Sequence, residues 1–144
     1  MTAVVIDASI AIKWVVDEPD TSLAMRLHRH WTTLAPDLLV AECTNILWKK
    51  HRLRQVGDDA IEAALAALEM ITTSLWPMRR LIRPGLDLAR RLDHPAYDCL
   101  YLALAAERDA PFVTADLSLV RKLRAAKFDE AAVLTLAEAA ALPA

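Results

Sequence analysis

The stretch HPAYDCLYLALAAERDAPFVTADLSL, His94 to Leu119, decides the fold. From Cys99 to Ala106 every side chain is apolar, so this helix expects burial on nearly all sides. Pro95 suits the first position of a Tyr97–Arg108 helix, where no amide hydrogen is required. PFVT (Pro111–Thr114) follows as a short strand, and Leu117–Ala126 as the next helix. Two carboxylates border this apolar unit: Asp98 at the head of the helix and Asp116 two residues beyond the strand.

The same alternation runs outward in both directions. Toward the N-terminus, AVVI (Ala3–Ile6) is a β-branched run suited to a buried strand, and it ends at Asp7. SIAIKWVV continues as a helix up to the break at Pro19, and a second helix spans about Thr21–Trp31 with Leu23, Leu27 and Trp31 on one face. TTLAP is a short strand or loop, Asp37 opens a helix to about Arg54, and Gly57 with Asp58 separates it from an Ala/Leu-rich helix over Asp59–Thr73. PMRRLI is expected as a strand and Pro84–Leu92 as a helix. Toward the C-terminus, AAVLTL is a last strand before a short alanine-rich tail. Short apolar strands alternating with helices imply an α/β three-layer sandwich, a short parallel sheet flanked by helices. No linker, low-complexity tract or internal repeat interrupts the 144 residues, so residues 1–144 are expected to form a single domain.

Composition narrows the class. With 56% hydrophobic and 25% charged residues, the chain is a compact globular protein. No apolar run approaches a membrane span, and MTAVVID lacks the basic start of a signal peptide. Cys43 and Cys99 lie within apolar helical patterns, as buried thiols of a reducing, cytoplasmic compartment would. A net charge of −2 argues against a general nucleic-acid coat protein. Basic residues cluster nonetheless at Lys49–Arg54, at Arg79, Arg80 and Arg83, and at Arg121–Lys127. Solvated helix faces account for any one of these clusters.

In open parallel sheets, ligands bind beyond the carboxyl ends of the strands. Asp7 and Asp116 belong on that edge, Asp98 opens the apolar helix, and Glu42 lies in the helix PDLLVAECTNILWKK. Each has a plain structural alternative. Asp7 and Asp116 could be helix N-caps, Asp98 could answer a helix dipole, and Glu42, Asn45 and Lys49 at i, i+3 and i+7 could be a solvent stripe. Four acids able to converge at one end of a sheet form a stronger pattern than any of them alone. No histidine pair has metal spacing: His28 and His30 point apart, while His51 and His94 stand alone in the sequence, so zinc is not expected.

VVIDASIAIKW, PDLLVAECTNILWKKHR and HPAYDCLYLALAAERDAPFVTAD, in that order, resemble the PIN-domain family and most closely its VapC-type toxins. The likeness runs from Val4 to about Leu136. It implies a ribonuclease of a toxin–antitoxin system, with catalytic and metal-binding roles for Asp7, Glu42, Asp98 and Asp116. It also implies supporting roles for Ser9, Asn45 and Thr114. Some relatives carry a further acid after the last aspartate, where this chain has Leu117, Ser118 and Leu119. The implied cofactor is Mg²⁺ or Mn²⁺, which take oxygen ligands and help water attack an anionic phosphodiester. The implied partners are RNA, a cognate antitoxin protein and a second copy of the chain. On this view Lys49 and Arg52 are positioned to follow an RNA backbone, and Trp14 and Trp31 to anchor the antitoxin. Trp48 sits on the same early helices.

Three other readings share parts of the pattern. A receiver-type signalling domain wants adjacent acids after its first strand, but Ala8 follows Asp7, and Asp116 stands where its late lysine belongs. A haloacid-dehalogenase-like phosphatase needs an acid at Ser9. A non-catalytic PIN-like scaffold would act through protein contacts alone.

Overall fold

The computed structural model describes residues 2–143. Five parallel strands form one sheet: β1 (Ala3–Ile6), β2 (Thr32–Pro36), β3 (Ser74–Trp76), β4 (Phe112–Thr114) and β5 (Val133–Thr135). Their spatial order is β3-β2-β1-β4-β5. Val5 is the hub of the register, opposite Leu34 of β2 on one side and Phe112 of β4 on the other. Val4, Val5 and Ile6 are fully buried, which only a central strand covered on both faces achieves.

The helices are α1 (Ala8–Val15), α2 (Thr21–His30), α3 (Leu38–Arg52), α4 (Asp58–Glu69), α5 (Ile82–Leu92), α6 (Ala96–Arg108), α7 (Leu117–Ala125) and α8 (Leu136–Ala141). α1 packs against α2, α3 and α4, whereas α6 packs against α5 and lies on β1, β2 and β4. The sheet is therefore the middle layer of an α/β sandwich. The apolar run of α6 is buried as expected: Cys99 and the residues from Tyr101 to Ala105 all lie in the core. Gly85 of α5 lets that helix approach α6, because a Cβ there would stand 2.7 Å from the Leu100 side chain.

Several elements differ from the sequence expectation. PMRRLI is not a strand. The strand lies just before it, at Ser74–Trp76, and Pro77, which has no N–H to offer the ladder, ends it. Met78–Leu81 is then a 3₁₀ turn running directly into α5, with Pro84 in that helix's first turn, where no amide partner is missing. TTLAP is a strand. The Ala/Leu-rich helix starts at Asp58 with Gly57 as its N-cap and stops at Glu69. The tail is helical, opened by a capping box between Thr135 and Glu138. Among the described residues no helix is long and apolar enough to cross a membrane.

Trp14 and Trp31 are half-buried and pack on the core. The Trp14 indole donates to the Ala24 carbonyl at 2.8 Å and so joins α1 to α2. Trp48, by contrast, is 57% exposed.

Candidate active site

The order of strand addition reverses at the centre of the sheet: β2 and β3 lie on one side of β1, β4 and β5 on the other. The crevice at such a switch point, beyond the carboxyl ends of the strands, is where α/β sheets place ligands. Asp7 stands immediately past β1 in this crevice and is buried. Ser9 Oγ donates to Asp7 Oδ1 at 2.5 Å, and the Ser9 backbone N–H reaches the same oxygen at 3.1 Å. Thr114 Oγ1, at the end of β4, donates to Asp7 Oδ2 at 2.5 Å. Those hydroxyls in turn accept backbone N–H groups, Ser9 from Ala115 at 2.9 Å and Thr114 from Asp116 at 3.1 Å. The two central strands are thus fastened together at their carboxyl ends through one carboxylate.

Asp7 serves as the N-cap of α1, as the plain structural alternative expects, and its electrostatics go further. Burial pushes its carboxyl up to about 6. The Ser9 and Thr114 hydrogen bonds pull it down, and the nearby charges of Asp98 and Glu42 push it up again. Glu42, on the inner side of α3, is likewise raised by burial and by Asp98, against the lowering effect of a 2.6 Å hydrogen bond from the buried Tyr101 hydroxyl. Asp98 lies in the first turn of α6, where His94 Nε2 meets its Oδ2 at 2.6 Å. Lys122 of α7 contacts the other ring nitrogen of His94 at 2.9 Å and the Asp93 carbonyl at 2.9 Å.

The charges of Glu42 and Asp98 thus bear on Asp7, and that of Asp98 on Glu42, while Asp116 stays at the rim. Asp116 is exposed, and its Oδ1 caps α7 through the Leu119 N–H at 3.1 Å. Among the described residues no three His, Cys, Asp or Glu side chains stand close enough to hold a metal ion as they are. The donor set nevertheless fits a hard divalent cation: it is all-oxygen and anionic, and the charges of Asp98 and Glu42 both bear on the buried Asp7.

Asn45 is exposed on α3, one turn beyond Glu42. Lys49 lines a groove with Ser9, Ala115, Lys13 and Lys50. Arg52 lies over the Trp48 ring, 5.1 Å from its centroid. Glu18 ties that groove's edge together, accepting from Lys13 at 3.2 Å and Lys50 at 2.7 Å. Cys43 and Cys99 are free and buried. Burial, then the charges of Glu42 and Asp7, pushes the Cys43 thiol up to about 12; burial, then Asp98, pushes Cys99 up to about 11. Neither is a thiolate near neutral pH.

Two positions were undervalued in the sequence. His94 does not stand alone: from the turn ahead of α6 it reaches Asp98 in that helix's first turn, a contact across the helix start that helical spacing does not announce. Tyr101 passes for apolar core, and only the fold shows its hydroxyl holding Glu42.

The PIN domain profile matches residues 4–125. A curated relative, Ribonuclease VapC1 of Mycobacterium tuberculosis, is 29% identical over 121 residues, covering 83% of this chain and 90% of its own. Among solved structures, PAE2754 from Pyrobaculum aerophilum superposes with a TM-score of 0.65 at 22% identity, covering 98% of this chain and 97% of that one. VapBC-5 from M. tuberculosis, described as a member of the VapBC family of toxin-antitoxin systems, gives 0.52 at 21% identity over 94% and 98%.

Proposed function

The chain belongs to the PIN-domain family, and from that premise we propose that it is a divalent-metal-dependent endoribonuclease, the toxin of a toxin–antitoxin pair. The observation that carries this reading is the buried Asp7 at the switch point of the sheet, held by Ser9 and Thr114 and within reach of the charges of Glu42 and Asp98. Asp7, Glu42 and Asp98 would hold Mg²⁺ or Mn²⁺, with Asp116 completing the set from the rim. When bound, such an ion lowers the pKa of a water and offsets charge building on the phosphate. The chain's own side chains supply the rest. Ser9 and Thr114 fix both oxygens of Asp7, Tyr101 orients Glu42 and His94 orients Asp98. Lys49, in the groove beside Ser9, would take phosphates of the substrate, and Arg52 would continue that path.

RNA as substrate is supported by the name of the curated relative. An antitoxin partner is supported by the motif resemblance and by the fold shared with VapBC-5. A second copy of the chain has a surface available. Ile82 and Leu86, one turn apart on α5, are 57% and 55% exposed, beside the exposed Met78. Soluble, cytoplasmic operation as a single domain accords with all of this.

One observation favours the alternative of a PIN-like interaction scaffold without catalysis: each acid already has a hydrogen-bond partner in the protein. The deciding experiment incubates the purified protein with total cellular RNA in Mg²⁺ or Mn²⁺ and in chelator. Metal-dependent cuts by the wild type, absent in folded Asp7→Asn and Asp98→Asn proteins, are expected. Undiminished cutting by Asp98→Asn removes that residue from the site, and no cutting at all leaves the scaffold.

A further inference from the structure

Lys122 lies outside the acid set and is exposed on α7, yet its ammonium group is committed to two acceptors in the turn between α5 and α6. It donates to the Asp93 carbonyl at 2.9 Å and stands 2.9 Å from His94 Nδ1. That turn is stiff in its own right. Asp93 closes α5 in left-handed backbone at φ 49°, the His94 N–H bonds the Ala89 carbonyl at 3.1 Å, and Pro95 fixes the entry to α6. The His94 side chain is 14% exposed, and its far nitrogen, Nε2, meets Asp98 Oδ2 at 2.6 Å. The contacts therefore run in series, from Lys122 on α7 through His94 in the turn to Asp98 on α6.

The donors decide the tautomer of the ring. An ammonium group donates and cannot accept, so the nitrogen facing it must present its lone pair. Nδ1 is that nitrogen, which leaves the ring proton on Nε2, where Asp98 accepts it. The opposite tautomer would set an N–H against the ammonium and a lone pair against the carboxylate, two repulsive contacts at once. Asp98 Oδ1 has no hydrogen-bond partner among the described residues and keeps its lone pairs for a hard cation. We infer that Lys122 is a positioning residue of the metal site: it selects the His94 tautomer that holds Asp98 by Oδ2 and leaves Oδ1 free. The same contacts fasten α7, which Asp116 caps, to the head of α6, which carries Asp98. This rests on the divalent-metal reading and adds to it a residue that bonds none of the four acids itself. A plain surface lysine is the alternative, and the two differ in sign. Acting through its charge alone, Lys122 would repel a cation from an acidic site, so its removal would tighten binding. Acting through His94, its removal loosens binding.

The test reads the histidine tautomers by nitrogen NMR on isotope-labelled protein in chelator, with His94→Ala identifying the His94 signals. Mn²⁺ affinity is measured alongside by calorimetric titration. In the wild type, His94 should show a lone-pair Nδ1 and a protonated Nε2. Lys122→Met, which keeps the stem and loses the donor, should mix the tautomers and weaken Mn²⁺ binding about 10- to 100-fold. Lys122→Arg, which keeps a donor, should retain the wild-type tautomer and affinity. In a His94→Ala background, where the affinity is already reduced, Lys122→Met should cause no further loss. The inference is overturned if wild-type His94 carries its proton on Nδ1, or if Lys122→Met leaves either the tautomer or the affinity unchanged. It is also overturned if Lys122→Met tightens Mn²⁺ binding, which would make Lys122 a surface charge. Equal weakening with and without His94 overturns it too, and would make Lys122 a brace for α7. A wild type that binds no Mn²⁺ removes the metal reading and this role together. Binding that is indifferent to Lys122 removes the role alone and leaves the reading standing.

Discussion

Asp7 is buried with both oxygens occupied by hydroxyl donors, and its carboxyl is nonetheless raised to about 6. Burial outweighs the hydrogen bonds, and Asp98 and Glu42 add to it. Stability should follow. Below about pH 4 the group is protonated in folded and unfolded chains alike. Between about 4 and 6 the unfolded chain releases the proton that the folded chain keeps. Stability present at low pH is therefore lost as pH rises through that window, by at most about 3 kcal/mol from this group. Urea titrations in chelator should show Asp7→Asn gaining on the wild type as pH rises from 4 to 7; a constant difference between the two refutes the assignment. Tyr101→Phe should cost about 1 kcal/mol of stability. By freeing Glu42 it should also weaken Mn²⁺ binding about 10- to 100-fold, read by calorimetric titration. An unchanged Mn²⁺ affinity would make Tyr101 a core residue only. At this scale the acids were legible, since Asp7 and Asp116 each follow a β-branched or aromatic run that could only be a strand. Of their holders, Ser9 and Thr114 came only through the family resemblance, and Tyr101 not at all. Thr114 and Tyr101 reach Asp7 and Glu42 across 107 and 59 residues of sequence, and no local pattern encodes such a contact.

Among the elements, α3 carries Glu42 at the crevice and the exposed Asn45 one turn on, with Lys49 and Arg52 further along the helix. Replacing Lys49 and Arg52 together by alanine should leave metal affinity unchanged and flatten the salt dependence of RNA binding. Each lost phosphate contact on a single strand lowers the log–log slope by about 0.7. An unaltered slope in filter-binding titrations would return both residues to the solvated face. The helix ends show a different economy. The chain has only two glycines, and Asp93, Asp109 and Lys127 adopt left-handed backbone at φ 49°, 48° and 55° where helices close. Glycine meets no steric penalty there, so Asp109→Gly and Lys127→Gly should each stabilise by about 0.5–1 kcal/mol, raising the melting temperature by a few degrees in calorimetry. Elements with strong periodicity or full apolar character, β1, α3 and α6, lay in the sequence with boundaries nearly correct. β3 did not, because a three-residue edge strand with two exposed side chains has no periodicity to detect, while the arginines and apolar residues after Pro77 imitate a strand.

For the whole molecule, the apolar α5 surface at Ile82 and Leu86 should make the protein self-associate. Sedimentation should give a dimer, and Ile82→Lys with Leu86→Lys a folded monomer; a wild-type monomer at working concentrations would release that surface for the antitoxin. The α/β class was legible from alternation alone, but the strand order was not, since the sequence does not say on which side of β1 each later strand returns. That order has a consequence for biosynthesis. Val5 pairs with Phe112, and the clamp on Asp7 needs Thr114, so the crevice joins the first strand made to one made more than a hundred residues later. On the ribonuclease reading proposed above, a site able to cut RNA would exist only after almost the whole chain had left the ribosome. The topology thus delays closure of the site until synthesis is nearly complete, whichever end of the sheet forms first.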